Sequence, residues 1–172
     1  AMPLGRDGTL KIMERRPERV LAKRLAGGGK GLLALAESCT GGLVAERVTA
    51  VPGSSAYFDR GFVVYSNRAK TELLGVDEGL LAREGAVSRA CAKAMLEGVF
   101  ARSSARFGAA VTGIAGPEGG TPEKPVGTVW IAWGTKEKRR AELLRLEGSR
   151  ARIRRDAALA VLRRLAEAAA WK

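Results

Sequence analysis

Ser38 follows directly on an apolar run, and its hydroxyl is the first candidate nucleophile of this chain. Residues 32–36 are apolar, and the polar turn Glu37-Ser38-Cys39-Thr40-Gly41-Gly42 comes after them. Apolar residues then recur at helical spacing, so the turn opens a helix whose free N–H groups point at whatever lies beside Ser38. Such a place attracts anions and developing oxyanions. A serine held there is suited to attack an acyl carbon.

A lysine is the candidate base for that serine. The chain contains no histidine, so no imidazole of its own can activate Ser38. Lys70 stands in a second polar turn, Tyr65-Ser66-Asn67-Arg68-Ala69-Lys70, which follows another apolar run. Lysine ordinarily titrates near ~10.4, so Lys70 must be desolvated or placed near another cation to accept a proton. We predict that backbone amides from Cys39 to Gly42, or that of Gly113, hold the oxyanion.

A third turn has the same character. Thr112-Gly113-Ile114-Ala115-Gly116-Pro117 follows the apolar run 109–111. Ligands of open α/β sheets bind beyond the carboxyl ends of strands, where such turns converge. Thr112 would relay a proton or hold the lysine in line, and Tyr65 would line or orient the substrate. The alternative is that Ser38 only caps a helix, Lys70 is solvated and Tyr65 belongs to the core; spacing alone leaves both open.

Three neighbours of these residues each have two interpretations. Cys39 adjoins the nucleophile and a helix N-terminus lowers a thiol pKa, but we favour a small side chain packed behind the turn. Glu37 either bonds the loop or Lys70 in the site, or caps the helix. Asn67 either reaches the substrate or caps the next helix, which we prefer. The glycines of the turns permit tight backbone paths and would also allow a phosphate to approach.

The elements that must position these turns alternate between helices and strands. Helices are predicted over 16–26 (ended by Gly27-Gly28-Gly29), 41–51, a turn near Arg68, 88–104 with Ser88 as N-cap, and 149–170. Strands are predicted at 32–36, 62–65 (largely buried), 109–111, 126–134 and 140–147, the last two as a hairpin. This order indicates a mixed sheet covered on both faces. Trp130 and Trp133, of opposite parity, should face different layers.

Length and composition indicate one domain. The 172 residues are 46% hydrophobic, enough for one core over residues 16–172, and residues 1–15 are expected to be a disordered start with a tag remnant. With no leader or membrane-spanning run, a cytoplasmic protein is expected. The two cysteines have no paired spacing, which fits a reducing compartment, and no metal or other cofactor is indicated.

The formal net charge of +12 raises the question of nucleic acid. The arginines are interleaved with leucine and alanine on the helices near both termini, and aromatic residues are only 5% of the chain, so stacking platforms are scarce. We therefore favour solvated helix faces over a nucleic-acid surface. A small substrate that carries a phosphate would also benefit from this charge.

Seven runs, in this order, carry a resemblance to a known family. They are Ala36-Glu37-Ser38-Cys39-Thr40-Gly41-Gly42, Pro52-Gly53-Ser54-Ser55-Ala56-Tyr57-Phe58, Gly61-Phe62-Val63-Val64-Tyr65-Ser66-Asn67-Arg68-Ala69-Lys70, Gly85-Ala86-Val87-Ser88, Thr112-Gly113-Ile114-Ala115-Gly116-Pro117, Gly119-Gly120 and Lys124-Pro125-Val126-Gly127-Thr128-Val129. The chain thereby resembles the CinA C-terminal domain family over about residues 16–168.

The resemblance implies a three-layer αβα sandwich with a mixed, mostly parallel sheet, assembled as a homodimer or higher homo-oligomer. It implies hydrolysis of nicotinamide mononucleotide to nicotinic acid mononucleotide and ammonia, without metal or cofactor. Ser38 matches the nucleophile, Lys70 the general base, and Tyr65 and Thr112 supporting catalytic positions. The substrate-binding candidates are Glu37, Thr40, Gly41, Gly42, Asn67, Gly113, Arg150 and Arg154.

One departure from the family pattern lies before the last helix. The family has Gly-Asp-Arg where this chain has Gly148-Ser149-Arg150, so Arg150 remains a candidate phosphate contact but lacks the neighbouring acid that would orient it. Arg154 is a second candidate, one turn later. The amino-terminal domain to which family members are often fused does not occur here, so we expect no pyrophosphatase activity. A catalytically inactive nucleotide-binding member, and a nucleic-acid-associated competence or damage-response protein, remain as alternatives.

Overall fold

The computed structural model describes residues 16–26 and 31–171. The expected disordered start at 1–15 and the glycine stop at Gly27-Gly28-Gly29 lie outside the described residues. The helices are α1 (Pro17–Leu25), α2 (Leu43–Thr49), α3 (Asn67–Leu74), α4 (Glu78–Glu84), α5 (Arg89–Ala101) and α6 (Arg150–Ala168). The strands are β1 (Leu33–Glu37), β2 (Phe58–Val63), β3 (Phe107–Gly113), β4 (Thr128–Thr135) and β5 (Arg139–Arg145).

The strands form one mixed sheet in the order β2-β1-β3-β4-β5. β1 pairs in parallel with both β2 and β3, while β4 pairs antiparallel with β3 and with β5. Four strands therefore run in one direction and β4 alone runs against them, so the predicted mixed, mostly parallel sheet is confirmed. The carboxyl ends of β1, β2 and β3 lie side by side at one edge of the sheet.

Alternation along the strands divides the core into two layers. Leu33 and Leu35 of β1 pack with α1, α2 and α6 on one face. Ala34 and Ala36 pack with α3, α4 and α5 on the other. This is the period of two expected for a sheet buried on both sides, and it confirms the αβα sandwich. Trp133 belongs to the first layer and Trp130 packs against the second, as their parity predicts.

Two elements differ from the sequence-based expectation. The second strand is Phe58–Val63 rather than 62–65, and it is an edge strand with exposed positions at Arg60 and Gly61, not a largely buried one. Val64, the residue that follows the strand, is fully buried. The helix α4 was not predicted, because only Leu81 of its seven residues is buried and the apolar periodicity is correspondingly short.

Two N-caps fix the helices that border the site. Ser88 Oγ accepts a hydrogen bond from Cys91 N at 3.1 Å, so the predicted cap of α5 is confirmed. Ser149 Oγ accepts from Arg152 N at 3.3 Å and starts α6.

No helix in the described ranges is both long and apolar enough to cross a bilayer.

Candidate active site

The three polar turns meet at the carboxyl ends of β1, β2 and β3, around a cavity of about 270 Å³. Ser38 and Lys70 are at its buried floor, with 7% and 1% of their surface exposed. Tyr65 is on the exposed rim. The lining residues are Ser38, Cys39, Tyr65, Asn67, Lys70, Ala86, Val87, Thr112, Gly113, Ile114, Ala115, Gly116, Glu118, Gly119 and Arg150.

Ser38 and Lys70 form a close pair. Lys70 Nζ lies 3.2 Å from Ser38 Oγ, within hydrogen-bond distance. The same nitrogen donates to Tyr65 O at 3.2 Å, which holds the amine at the serine. Burial lowers the pKa of Lys70 below its ordinary value, because the charged ammonium loses its hydration. A lysine with a lowered pKa has a larger neutral fraction at neutral pH, and only the neutral amine can take the serine proton.

The thiol of Cys39 is buried and protonated, so it is a poor nucleophile. Its side chain is 5% exposed and packs in the core cluster behind the turn. Burial raises its pKa to about 11, so the thiolate is scarce at neutral pH despite the nearby helix N-terminus. Both observations support the interpretation of Cys39 as a packing residue.

We expect Cys39→Ala to retain most of the catalytic activity of the wild type. The substitution removes a neutral thiol, leaves the Ser38–Lys70 pair in place, and costs some packing in the core. Steady-state rates, with the thermal unfolding midpoint as a control for folding, check this. A loss of activity as large as that of Ser38→Ala, in a folded protein, would assign the nucleophile to the thiol instead.

Glu37 shapes the turn at 37–42 that carries Ser38, and it does not bond Lys70. Its carboxylate accepts hydrogen bonds from Thr40 Oγ1 at 2.6 Å and from the amides of Gly42, Val44 and Ala45 at 3.1, 3.0 and 2.8 Å. Those amides belong to the first turn of α2, so the acid caps the helix that follows it. Glu37 therefore both bonds the loop and caps the helix, while no bond to Lys70 is found among the described residues.

Four of the substrate-binding candidates stay off the cavity wall for this reason. Glu37 and Thr40 are 1% and 0% exposed and bond each other. Gly41 N donates to Ser38 O at 3.0 Å, and Gly42 gives its amide to Glu37. Gly42 starts α2 at a φ of 99°, a left-handed conformation that favours glycine. These residues build the turn on which Ser38 stands.

The remaining loop amides are the candidate oxyanion donors. With Gly41 N and Gly42 N used inside the loop, those of Cys39 and Thr40 remain from the predicted set. Gly113 is a third candidate. Ser38 N donates to Val111 O at 3.0 Å, so Val111 turns its backbone polar groups toward β1. Because alternate residues of a strand turn these groups to the same side, Gly113 N–H also points toward the end of β1, where Ser38 lies.

Arg154 connects α6 to the turn that carries Ser38. Its guanidinium donates to Cys39 O at 3.1 Å through Nε and to Thr40 O at 2.8 Å through Nη2. The guanidinium therefore bonds two carbonyls beside Ser38, and Arg154 is not among the residues that line the cavity. The structure gives Arg154 a positioning contact where we expected a substrate contact.

Arg150 lies at the cavity rim. It donates through Nη1 to Gly116 O at 2.8 Å and through Nη2 to Tyr65 OH at 2.9 Å. These two partners orient the guanidinium without the neighbouring acid that the resemblance leads us to expect at position 149. The serine instead caps α6. A guanidinium has five donors, so these two bonds do not exhaust it.

Thr112 and Asn67 differ in their surroundings. Thr112 Oγ1 donates to Ala86 O at 2.8 Å, which ties the end of β3 to the turn before α5. Asn67 is exposed, lines the cavity and is not the helix cap that we preferred. The cap of α3 is Ser66, whose Oγ accepts from Ala69 N at 3.0 Å. A serine one position earlier was available in the sequence as the signal for this cap.

Sequence reasoning assigned no individual role to several residues of the cavity wall. Ala86 and Val87 come from the turn before α5, and Ile114 and Ala115 from the turn after β3, and together they give the wall an apolar side. Glu118, on the same loop as Ile114, is an exposed acidic residue that lines the rim. Among the described residues there is no group of histidine, cysteine or acidic side chains arranged to hold a metal ion.

Comparison with known proteins identifies the family. The sequence model of the CinA C-terminal domain family matches residues 15–169 of this chain. The chain belongs to the CinA C-terminal domain family. A solved structure of the competence damage-inducible protein A from Klebsiella pneumoniae superposes with a TM-score of 0.86 at 35% identity, over 93% of this chain and 99% of that one.

Two curated relatives have different lengths. The nicotinamide-nucleotide amidohydrolase PncC of Pseudomonas putida is 53% identical over 127 residues, which are 74% of this chain and 79% of that protein. A CinA-like protein of Akkermansia muciniphila is 64% identical over 100 residues, 58% of this chain but 24% of that protein. The chain thus spans most of the amidohydrolase and about a quarter of the longer CinA-like relative.

Proposed function

We propose that this CinA C-terminal domain protein is a nicotinamide-nucleotide amidohydrolase, which hydrolyses nicotinamide mononucleotide to nicotinic acid mononucleotide and ammonia in pyridine nucleotide recycling. The observation that carries the proposal is the 3.2 Å approach of the buried Lys70 amine to Ser38 Oγ at the floor of the cavity. The 53% identity to the amidohydrolase of Pseudomonas putida supports the choice of substrate.

The reaction proceeds through an ester on Ser38. Neutral Lys70 takes the hydroxyl proton while Oγ attacks the carboxamide carbon, and the amides of Cys39, Thr40 or Gly113 stabilise the oxyanion. Lys70 then gives its proton to the leaving nitrogen, the C–N bond breaks and ammonia departs. Water, deprotonated by Lys70, attacks the ester, and Ser38 recovers a proton as the acid product leaves. No metal or redox partner is required for this balance.

The walls of the cavity suit the rest of the substrate. The apolar side formed by Val87, Ile114 and Ala115 can contact the pyridine ring. Arg150, at the rim, is the proposed partner of the phosphate, with donors beyond those held by Gly116 and Tyr65. Thr112 and Tyr65 support the site by holding the turn before α5 and the guanidinium of Arg150.

The proposal is tested by incubating the purified protein with nicotinamide mononucleotide and detecting nicotinic acid mononucleotide by mass spectrometry. Product formation with equimolar ammonia is the expected result. Binding without product, measured by calorimetry on the folded protein, would make the chain an inactive nucleotide-binding member. Salt-dependent retardation of DNA, with no deamidation, would favour the nucleic-acid alternative.

Several arginines pair with carboxylates, which interrupts the basic surface near them and weakens the nucleic-acid alternative. Arg164 bonds both Glu142 and Glu167, Arg47 bonds Glu18, and Arg152 bonds Asp156. The formal net charge of +12 already counts these carboxylates, so the pairs affect where the basic surface lies and not its total charge.

Assembly and location are part of the proposal. We propose a homodimer or higher homo-oligomer on the family resemblance, testable by light scattering coupled to size-exclusion chromatography. We also propose a cytoplasmic location, since both cysteines are free and buried, as expected in a reducing compartment.

A further inference from the structure

The cavity has a buried floor and an exposed rim, and the proposed substrate has a matching order of groups. Ser38 and Lys70 at the floor must receive the carboxamide. In nicotinamide mononucleotide the ribose is attached to the ring nitrogen, meta to the carbon that bears the carboxamide, and the phosphate follows the ribose. The ribose and the phosphate must therefore meet the rim.

The rim carries two opposite charges. Arg150 contributes a guanidinium, and Glu118 contributes the one carboxylate among the lining residues. Glu118 makes no ion pair or hydrogen bond with any residue that the structure describes, so its oxygens are available to a ligand. A carboxylate repels a phosphate and accepts hydrogen bonds from hydroxyl groups. The same chemistry lets an acidic residue bind ribose hydroxyls in dinucleotide-binding folds.

The loop that carries Glu118 is held in place next to Arg150. Gly116 is buried at a φ of 78°, and a Cβ there would lie 2.6 Å from Val126 Cγ1, so the loop packs closely at its base. The carbonyl of Gly116 accepts the 2.8 Å bond from Arg150. Arg150 therefore holds the base of the loop two residues before Glu118, so both residues belong to the same side of the cavity rim.

We propose that Glu118 is a specificity-determining residue, whose carboxylate accepts hydrogen bonds from the ribose hydroxyls of the nucleotide while Arg150 binds its phosphate. This inference rests on the proposed amidohydrolase function and deepens it. Glu118 then selects a ribonucleotide over the same nucleotide without its hydroxyls. It takes no part in the proton transfers at Ser38.

The test is a cycle of two proteins and two substrates. The wild type and Glu118→Ala are assayed for kcat and KM on nicotinamide mononucleotide and on its 2′,3′-dideoxy analogue. Glu118→Ala should lower kcat/KM on the ribonucleotide about tenfold or more, mainly through KM, as expected for loss of a hydrogen bond to a charged group. On the dideoxy analogue the same substitution should change kcat/KM less than about twofold.

Controls separate this role from a structural one. Glu123→Ala removes an exposed acid of the same loop that does not line the cavity, and it should leave both substrates unaffected. Glu118→Gln should recover part of the discrimination, since its amide oxygen still accepts a hydrogen bond. Equal losses on both substrates, or none on either, would overturn the proposal.

Nucleotide binding by an inactive variant tests the role of Glu118 even if the proposed activity is not found. If the wild type does not deamidate nicotinamide mononucleotide, the proposed function fails, and the Glu118 proposal is still decided by calorimetric titration of Ser38→Ala with the two nucleotides. Ser38→Ala should bind the ribonucleotide about tenfold more tightly than the dideoxy analogue. The double variant Ser38→Ala/Glu118→Ala should not distinguish them. Equal affinity of Ser38→Ala for both nucleotides would overturn the assignment of Glu118.

Discussion

Ser38→Ala should lower kcat for deamidation of nicotinamide mononucleotide at least about a thousandfold. The substitution removes the only oxygen within reach of Lys70 Nζ that can form the proposed ester, and Lys70 has no other side-chain hydroxyl at hydrogen-bond distance among the described residues. Nucleotide binding should persist, since the rim residues are unchanged. Ammonia release measured by a coupled assay, with binding measured by calorimetry, checks both parts.

A matched serine provides the control for Ser38. Ser55 is exposed in the short helical turn before β2 and lies outside the cavity wall, so Ser55→Ala should keep wild-type activity. Wild-type kcat in Ser38→Ala would refute the covalent mechanism.

Lys70→Met should lower kcat about 10²- to 10⁴-fold, the contribution typical of a general base. Methionine keeps an unbranched side chain of similar length and cannot accept the proton of Ser38. The circular dichroism spectrum should remain that of the wild type. Lys70→Arg, which keeps a cation but has no accessible neutral form, should be equally inactive. Substantial activity in Lys70→Arg would exclude the neutral amine as the base.

Lys70→Met should also change the pH dependence of the free energy of unfolding. Burial lowers the folded-state pKa of Lys70, so between the folded and unfolded pKa values the unfolded state binds more protons. The wild type therefore loses stability as pH falls through this window, and below the folded pKa the loss is complete and constant. The free energy of unfolding of Lys70→Met relative to the wild type should rise as pH falls through the window, measured by urea titration at several pH values. A difference that is independent of pH would contradict the assignment.

The Ser38–Lys70 pair could be predicted from the sequence because each residue follows the end of a strand. Parallel strands bring their carboxyl ends to one edge, so turns that are 32 residues apart in the chain can meet there. The absence of histidine narrowed the base to an amine. The prediction that the turns meet needed the order of the strands, not their exact bounds.

The roles of Glu37 and Arg154 could not be predicted in the same way. Glu37 bonds amides as far as Ala45, and the polar character of the turn fits both a cap and a substrate ligand. Arg154 bonds Cys39 O, 115 residues away, and helical spacing on α6 shows only which face it shares with Arg150. Contacts of this kind depend on how α6 packs against the loop, which local patterns do not specify.

The bounds of β2 were missed for a related reason. Phe62, Val63 and Val64 form an apolar run, which the sequence analysis took as a buried strand. The strand instead begins at Phe58 and lies at the edge of the sheet, where one side is open and Arg60 and Gly61 are tolerated. The exposed residues of β2 follow from its position at the edge of the sheet, which is a tertiary property that local sequence does not show.

The most direct test of the central claim replaces the base by one of different basicity. Lys70→Cys, in a background with Cys39→Ala and Cys91→Ala, is alkylated with 2-bromoethylamine in denaturant and refolded, which installs an amine of lower intrinsic pKa at position 70. The restored kcat/KM should rise with pH through a midpoint lower than that of the unalkylatable parent carrying Lys70, because the neutral amine takes the proton of Ser38. Restored activity with an unchanged midpoint would show that another group is the base.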